Sequence, residues 1–148
     1  MRYFTYDLWK CINTGDREEM ARASAQWAEN DRAYSMHFER IKTRFTKSFF
    51  RSFVRHRGFH DAIITSAQMD TRRKQVILIL DDAGSMSRIL FDKVSFFTVE
   101  PGDPEDCEWG YSELDATEDG NLYMNILCSG GQEIGLTFRR VRIEEIEA

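Results

Sequence analysis

The sequence predicts an α+β fold in which N-terminal helices pack on an antiparallel, meandering sheet of six or seven strands. Apolar residues recur every three or four positions up to residue 57, which is the period of a helix, and often every second position after residue 58, which is the period of a strand. The connections between the predicted strands are short, and short connections join antiparallel neighbours because a parallel pair needs a long crossover. We also expect the sheet to curl toward a barrel.

The helical part comprises residues 1–57. Residues 3–13 form a short helix with Thr5 as its N-cap. A longer stretch, residues 17–57, contains no proline or glycine and carries large apolar side chains at helical spacing. Because about forty residues is long for a helix of a globular protein, we expect a break or kink at residues 29–31. Gly58 then ends the helix, since glycine readily adopts the left-handed conformation found just past a last turn.

The sheet part comprises residues 58–148 and contains seven segments with strand character. These are residues 63–69, 76–80, 88–99, 109–114, 122–128, 133–139 and 141–146, the last of which extends or bends the segment before it. Segment 88–99 is long, and we expect a bulge near Asp92. No linker separates the two parts, so we treat residues 1–148 as a single domain.

Composition indicates a cytoplasmic protein. Residues 1–10 lack the apolar region of a secretory signal, and no run approaches the ~20 apolar residues that cross a membrane. The three cysteines lack C-x-x-C spacing, which argues against a disulfide framework or a zinc site and fits a reducing compartment. We therefore expect no membrane association and no cofactor, and the oligomeric state stays open.

Charge is divided unevenly along the chain. Residues 1–57 carry 12 Lys and Arg against 7 Asp and Glu, a net +5, whereas residues 58–148 carry 8 against 18, a net −10. The segment 100–108, called the acidic loop below, holds five of these carboxylates. Such a loop is a solvated surface or attracts a basic protein. We favour the second interpretation, with exposed aromatic residues beside the loop as anchors. The candidate partner-binding residues are Glu105, Asp106, Glu108, Trp109 and Tyr111.

A basic helix face is the most regular polar pattern. It consists of Arg40, Arg44, Lys47, Arg51 and Arg55, which follow one another at steps of 4, 3, 4 and 4 and lie opposite the phenylalanine stripe. Such a face is solvated, pairs with acidic groups of the same molecule, or binds a protein or a nucleic acid. The overall net charge of −5 argues against nucleic acid.

The segment RHRGFHDA, residues 55–62, holds two of the three histidines. A continuous helix would place His56 and His60 on one face, and with Asp61 they would form a metal-dependent hydrolytic site. Gly58 interrupts that helix. We therefore favour a structural role for these residues, as a helix end and a strand entry, and keep the metal-dependent hydrolase as the alternative.

Four short motifs resemble those of a bacterial family of small cytoplasmic proteins that is a domain of unknown function. They are Met1-Arg2-Tyr3-Phe4-Thr5, Phe59-His60-Asp61-Ala62-Ile63-Ile64, Trp109-Gly110-Tyr111-Ser112-Glu113 and Gly131-Gln132-Glu133-Ile134-Gly135-Leu136-Thr137-Phe138. The family is similar to immunity-type domains of bacterial toxin systems, which implies a non-enzymatic protein-interaction module. Gly110 and Gly135 stand where a bulkier strand residue is expected, so we expect the sheet edges there to differ.

Overall fold

The computed structural model describes residues 1–147; Ala148 lies outside them. Within that range three α-helices precede eight β-strands, and the α+β class is confirmed. The helices are α1 (Tyr6–Ile12), α2 (Arg17–Ile41) and α3 (Lys47–Arg55). The strands are β1 (Ile63–Asp70), β2 (Gln75–Asp82), β3 (Ser85–Asp92), β4 (Phe96–Glu100), β5 (Cys107–Ala116), β6 (Leu122–Cys128), β7 (Glu133–Phe138) and β8 (Arg140–Ile146). No helix of residues 1–147 is both long enough and apolar enough to span a membrane.

The helical stretch breaks later than the sequence predicts. The prediction of a break at residues 29–31 is wrong, because α2 continues through them and the Asn30 side chain donates a hydrogen bond to the carbonyl of Tyr3 at 2.9 Å. The break lies after Ile41, where a short 3-10 helix leads to an extended Phe45. Thr46 then caps α3 by accepting a hydrogen bond from the Phe49 N–H at 3.1 Å.

A left-handed turn joins the helical part to the sheet. Helix α3 ends at Arg55, and three consecutive residues, Arg57, Gly58 and Phe59, have φ of 54°, 65° and 60°. The expected helix end before Gly58 is therefore confirmed. The chain reverses here and enters β1 at Ile63.

The sheet is antiparallel, with the order β4-β7-β6-β5-β1-β2-β3-β8. The expected count of six or seven strands is too low because the long segment 88–99 is two strands. Its chain leaves the ladder at residues 93–95, where Lys93 has a φ of 52°. Strands β3 and β4 consequently lie far apart in the order, β3 beside β8 and β4 beside β7. A break at Arg139 likewise separates β7 from β8.

The sheet is not closed into a barrel, because β4 and β8 are its two edges and do not pair with each other. Both halves nevertheless share one apolar core. The rings of Phe91 on β3 and Phe138 on β7 lie 4.9 Å apart, and Phe49 of α3 belongs to the same buried cluster. Helix α3 packs beside β8.

Candidate functional site

The acidic loop connects the edge strand β4 to the central strand β5. Hydrogen bonds hold its backbone in place: the Asp106 N–H donates to the carbonyl of Ile64 on β1 at 2.7 Å, and the Asp103 carboxylate accepts from the Glu105 N–H at 2.9 Å. Glu105, Asp106 and Glu108 are all exposed. The loop therefore presents three carboxylates to solvent from a backbone that is tied to the sheet.

These carboxylates have no neutralising partners. Within residues 1–147, none of Glu105, Asp106 and Glu108 forms an ion pair within 4.0 Å. The sheet register adds further acidic residues at the same end, because Ile63 is opposite Asp81 on one side and Glu108 on the other. The structure thus has an acidic end, which is the acidic loop together with the start of β1 and the end of β2.

The two aromatic residues predicted to be exposed anchors are covered. The expectation is wrong for Trp109, whose exposure is 0% because it faces the core and packs on Phe59 at 5.6 Å between ring centroids. Tyr111 is half-buried beneath the N-terminal helices, with its ring 5.3 Å from Trp9 and 4.7 Å from Trp27. Burial, and next the nearby Asp61 carboxylate, raise the pKa of Tyr111.

An exposed aromatic residue that sequence reasoning missed lies on β4. Phe96 is 55% exposed, whereas its neighbours Phe97 and Val99 pack against the core. The alternation places Phe96, Thr98 and Glu100 on the outer face of an edge strand, and this strand leads directly into the acidic loop. The adjacent residues Phe96 and Phe97 could have indicated this exposure. Neighbouring residues of a strand point to opposite faces, so only one of the two rings can face the core.

The five residues of the predicted basic face are all exposed but do not share one helix. The break after Ile41 leaves Arg40 on α2 and Arg44 in the 3-10 helix, while Lys47, Arg51 and Arg55 belong to α3. The side chain of Arg55 pairs with Glu145 on β8 at 2.5 Å. Within residues 1–147, none of the other four forms an ion pair within 4.0 Å.

Three of these five residues line two different clefts. Lys47 and Arg51 line a cleft of about 570 Å³ whose floor includes Phe50 and the exposed Val54. Arg44 lines a separate cleft of about 260 Å³ between the start of α3 and β8. The unbroken helix that the predicted basic face assumed is therefore interrupted, and its five residues lie on two helices and the 3-10 helix between them.

His56 lies in the core beside α3. Its ring stacks on Phe59 with the centroids 4.8 Å apart. Its Nδ1 is 3.8 Å from an Asp82 oxygen and its Nε2 is 3.8 Å from a Glu145 oxygen. These distances exceed hydrogen-bond length, so His56 is a packed aromatic ring flanked by two carboxylates.

His60 belongs to a different environment. Its Nδ1 makes a 2.6 Å hydrogen bond with the carbonyl of Gly110, and its Nε2 is 3.4 Å from an Asp61 oxygen. It lines an open cleft of about 370 Å³ with Tyr111. The left-handed turn separates it from His56, and residues 1–147 contain no group of three or more His, Cys, Asp or Glu side chains arranged to hold a metal ion. The geometry therefore does not bring the three predicted hydrolase residues together.

Glu113 performs a structural role that the sequence analysis did not assign. Its buried carboxylate accepts hydrogen bonds from the backbone N–H groups of Arg2, Tyr3 and Phe4, with 2.7 Å to Arg2 and 2.8 Å to Phe4. Two of the four motifs, the N-terminal one and the one that ends in Glu113, are thus joined in space. The sequence held no clear signal, because β5 also carries Glu108, Ser112 and Asp115.

Gly110 and Gly135, the two glycines of the motifs, allow close packing against the sheet and within it. Gly110 lies in the central strand β5, and a Cβ atom there would come within 2.6 Å of the Trp9 ring and 2.8 Å of the Leu127 carbonyl. A Cβ on Gly135 would be 3.2 Å from Thr98. The expectation of altered sheet edges is wrong for Gly110, which instead lets α1 approach β5.

Comparisons with known proteins leave the chain without a family assignment. No protein-family model matches it, and no curated protein matches it. It is similar to a solved structure, the crystal structure of an uncharacterized protein from Neisseria gonorrhoeae, with 14% sequence identity and a TM-score of 0.46 over 60% of this chain and 94% of that chain. A similarity of this size supports no conclusion about function.

Proposed function

We propose that the protein is a non-enzymatic interaction module that binds a basic protein through its acidic loop and the outer face of β4. The observation that carries the proposal is the set of three exposed carboxylates, Glu105, Asp106 and Glu108, none of which is neutralised within residues 1–147. Like charges held close together repel one another, and a cationic partner relieves that repulsion.

The fixed backbone of the loop favours binding. The Asp106 N–H is hydrogen-bonded to β1 and the Glu105 N–H to Asp103 within the loop, and both bonds form without a partner. Binding therefore does not incur the full entropy cost of ordering the loop. The ordering of interface loops is one of the main costs of association. The acidic end also attracts a basic protein over distance and accelerates the encounter, an effect that salt screens.

The edge strand β4 offers main-chain and apolar contacts in addition to the charges of the acidic loop. One side of β4 has no neighbouring strand, and its outer face exposes Phe96. An extended segment of a partner can add to such an edge by main-chain hydrogen bonds, and an apolar side chain beside it contributes affinity. A basic extended segment would contact β4 and the acidic loop together.

The partner we infer is a toxin of the same bacterial cell, and the compartment is the cytoplasm. The resemblance to immunity-type domains supports the first inference, and an acidic surface suits proteins that neutralise basic nucleic-acid-cleaving toxins. The three cysteines are free thiols, which fits the second. The alternative is a metal-dependent hydrolase at His56, His60 and Asp61. We favour the interaction module, because His60 and Asp61 lie 3.4 Å apart whereas His56 is flanked by Asp82 and Glu145 instead.

Affinity capture with three forms of the protein tests the proposal. The loop variant reverses the charge of Glu105, Asp106 and Glu108 to Lys. The control variant reverses Glu29, Asp31 and Glu118, three exposed carboxylates that are likewise outside the ion pairs of the structure and give the same net charge. A third form, Phe96→Ser, removes the apolar contact on β4.

We expect wild type and the control variant to capture the same basic protein, and the loop variant and Phe96→Ser to capture much less of it. The reconstituted complex should show a dissociation constant at least tenfold weaker for the loop variant, or about 1.4 kcal/mol. Equal capture by the loop variant and wild type, or equal loss in the control variant, would refute the proposal.

A further inference from the structure

A cleft at the end of the sheet opposite the acidic end is lined by four arginines. It lies between the start of α3 and β8 and has a volume of about 260 Å³. Arg44 comes from the 3-10 helix, and the other three come from the β7–β8 junction and β8. The four are Arg44, Arg139, Arg140 and Arg142. The cleft is thus strongly cationic in a chain whose net charge is −5.

Carboxylates of the chain compensate this charge only in part. Arg142 pairs with Glu144 at 2.9 Å, but Arg44, Arg139 and Arg140 form no ion pair within 4.0 Å among residues 1–147. Asp92 also lines the cleft, and its carboxylate accepts a hydrogen bond from the backbone N–H of Lys93 at 3.0 Å. The Arg139 guanidinium lies against the β5–β6 turn, where a Cβ on Gly120 would be 3.2 Å from its Nη1 and where, after the hydrogen bond from Thr117, its charge helps to lower the pKa of Asp119. Arg44 and Arg140 therefore remain for an external anion.

Polar groups of the helix start complete the lining. The Thr46 and Ser48 residues line the cleft at the beginning of α3. The first N–H groups of a helix have no intrahelical acceptor, and the helix dipole favours negative charge at this end. Guanidinium forks with hydroxyl and amide donors are a donor set that suits a phosphate group.

We propose that this cleft binds a small phosphate-bearing molecule. The volume of about 260 Å³ holds a phosphate group and a modest part of the molecule that carries it. Arg140 is the central residue, because it begins β8 opposite Asp92 and lies in the chain between Arg139 of the β7–β8 junction and Arg142. The site is separate from the acidic loop and does not depend on the proposed function.

An NMR titration with inorganic phosphate and with pyrophosphate, at constant ionic strength, tests the site. We expect saturable shifts of the Lys47 and Ser48 amides and of residues 139–142. Arg140→Gln should weaken binding by about tenfold, as the loss of a charge-assisted hydrogen bond predicts. The matched control is Arg72→Gln, an exposed arginine in the turn between β1 and β2 that is not part of the cleft.

Three results would overturn the assignment. The first is the absence of saturable shifts at the helix start for both anions. The second is equal weakening in Arg140→Gln and Arg72→Gln, which would indicate a general charge effect. The third is binding of a short DNA oligonucleotide far more tightly than of pyrophosphate, which would indicate a polyanion surface. The amide spectrum itself shows whether each variant is folded.

Discussion

Glu113 links the first residues of the chain to the central strand. A buried carboxylate is unfavourable unless hydrogen bonds satisfy it, and here three successive backbone N–H groups, from Arg2 to Phe4, do so. The rings of Tyr3 and Phe4 then pack on Tyr34 at 5.4 and 5.5 Å. Composition and periodicity do not reveal such a contact, because its two partners are more than 100 residues apart.

We predict that Glu113→Gln destabilises the protein by about 2 kcal/mol. The amide keeps the shape of the side chain, but its NH₂ group faces a backbone N–H, so a buried donor is left unsatisfied. Urea unfolding measures the change, with Glu118→Gln in the exposed turn as control. Equal free energies of unfolding for the two variants would contradict the structural role of Glu113.

The buried side chain of Tyr34 predicts that the stability of the protein depends on pH in the alkaline range. Burial raises the pKa of Tyr34 to about 12 from an ordinary value near 10, although the Leu114 N–H donates to its oxygen at 2.8 Å. Because the pKa is raised in the folded state, the contribution to stability is complete below pH 10 and is lost as the pH rises toward 12. The loss is about 2–3 kcal/mol.

The direction of this change can be checked by measuring the free energies of unfolding of wild type and Tyr34→Phe across this pH range. Wild type should lose more stability than Tyr34→Phe between pH 10 and 12, since phenylalanine has no proton to release in the unfolded state. Parallel pH profiles for the two proteins would show that the Tyr34 hydroxyl does not titrate differently in the folded state.

At the scale of elements, the sequence predicts the type of each segment better than its ends. Helical and strand periods identify the helical part and the sheet part correctly, because they report which side chains face the core. They do not locate the break at residues 42–46, because the apolar spacing continues across it. Thr46, a good N-cap residue, was the available signal.

Long-range pairing is the other element-scale property that sequence patterns miss. The segment 88–99 has strand character on both sides of the polar pair Asp92-Lys93, yet β3 and β4 pair with different neighbours. Which strand lies beside which depends on the whole sheet and on a turn at Lys93 that no glycine or proline marks. The exposure of Trp109 was mispredicted because it was inferred from the neighbouring acidic loop, whereas β5 turns this side chain toward the core.

We predict that Gly58→Ala destabilises the protein by about 1 kcal/mol. Its φ of 65° is unfavourable for residues with a Cβ, while the new Cβ would meet the Phe53 ring at an ordinary 3.5 Å, so the cost is a backbone cost. Thermal or urea unfolding measures it. Replacing a glycine in ordinary helical geometry by alanine leaves the stability unchanged or increases it. Either result here would contradict the left-handed backbone conformation of Gly58.

At the scale of the whole molecule, opposite charges occupy opposite ends of the sheet. Strand β2 runs from Gln75, whose side-chain amide is 3.5 Å from the Asp92 carboxylate at the arginine-lined cleft, to Asp82 at the acidic end. Its eight residues span roughly 25 Å, which exceeds the screening length of about 8–10 Å at physiological salt. The two ends should therefore bind their ligands independently.

This independence is itself a prediction. Charge reversal of Glu105, Asp106 and Glu108 should leave the phosphate affinity unchanged within about twofold at physiological salt, because the charges are screened over that distance. The NMR titration with pyrophosphate measures it. A large change would show that the two ends are coupled, through the fold or by direct contact.

The dissociation constant of the purified complex with the captured partner, measured as a function of salt, tests the central claim most directly. We expect affinity for wild type to fall steeply between about 50 and about 300 mM NaCl, and the fall to be much shallower for the variant with Glu105, Asp106 and Glu108 reversed. A dissociation constant that is independent of salt, or an identical salt dependence for the two proteins, would contradict binding of a basic partner by the acidic loop.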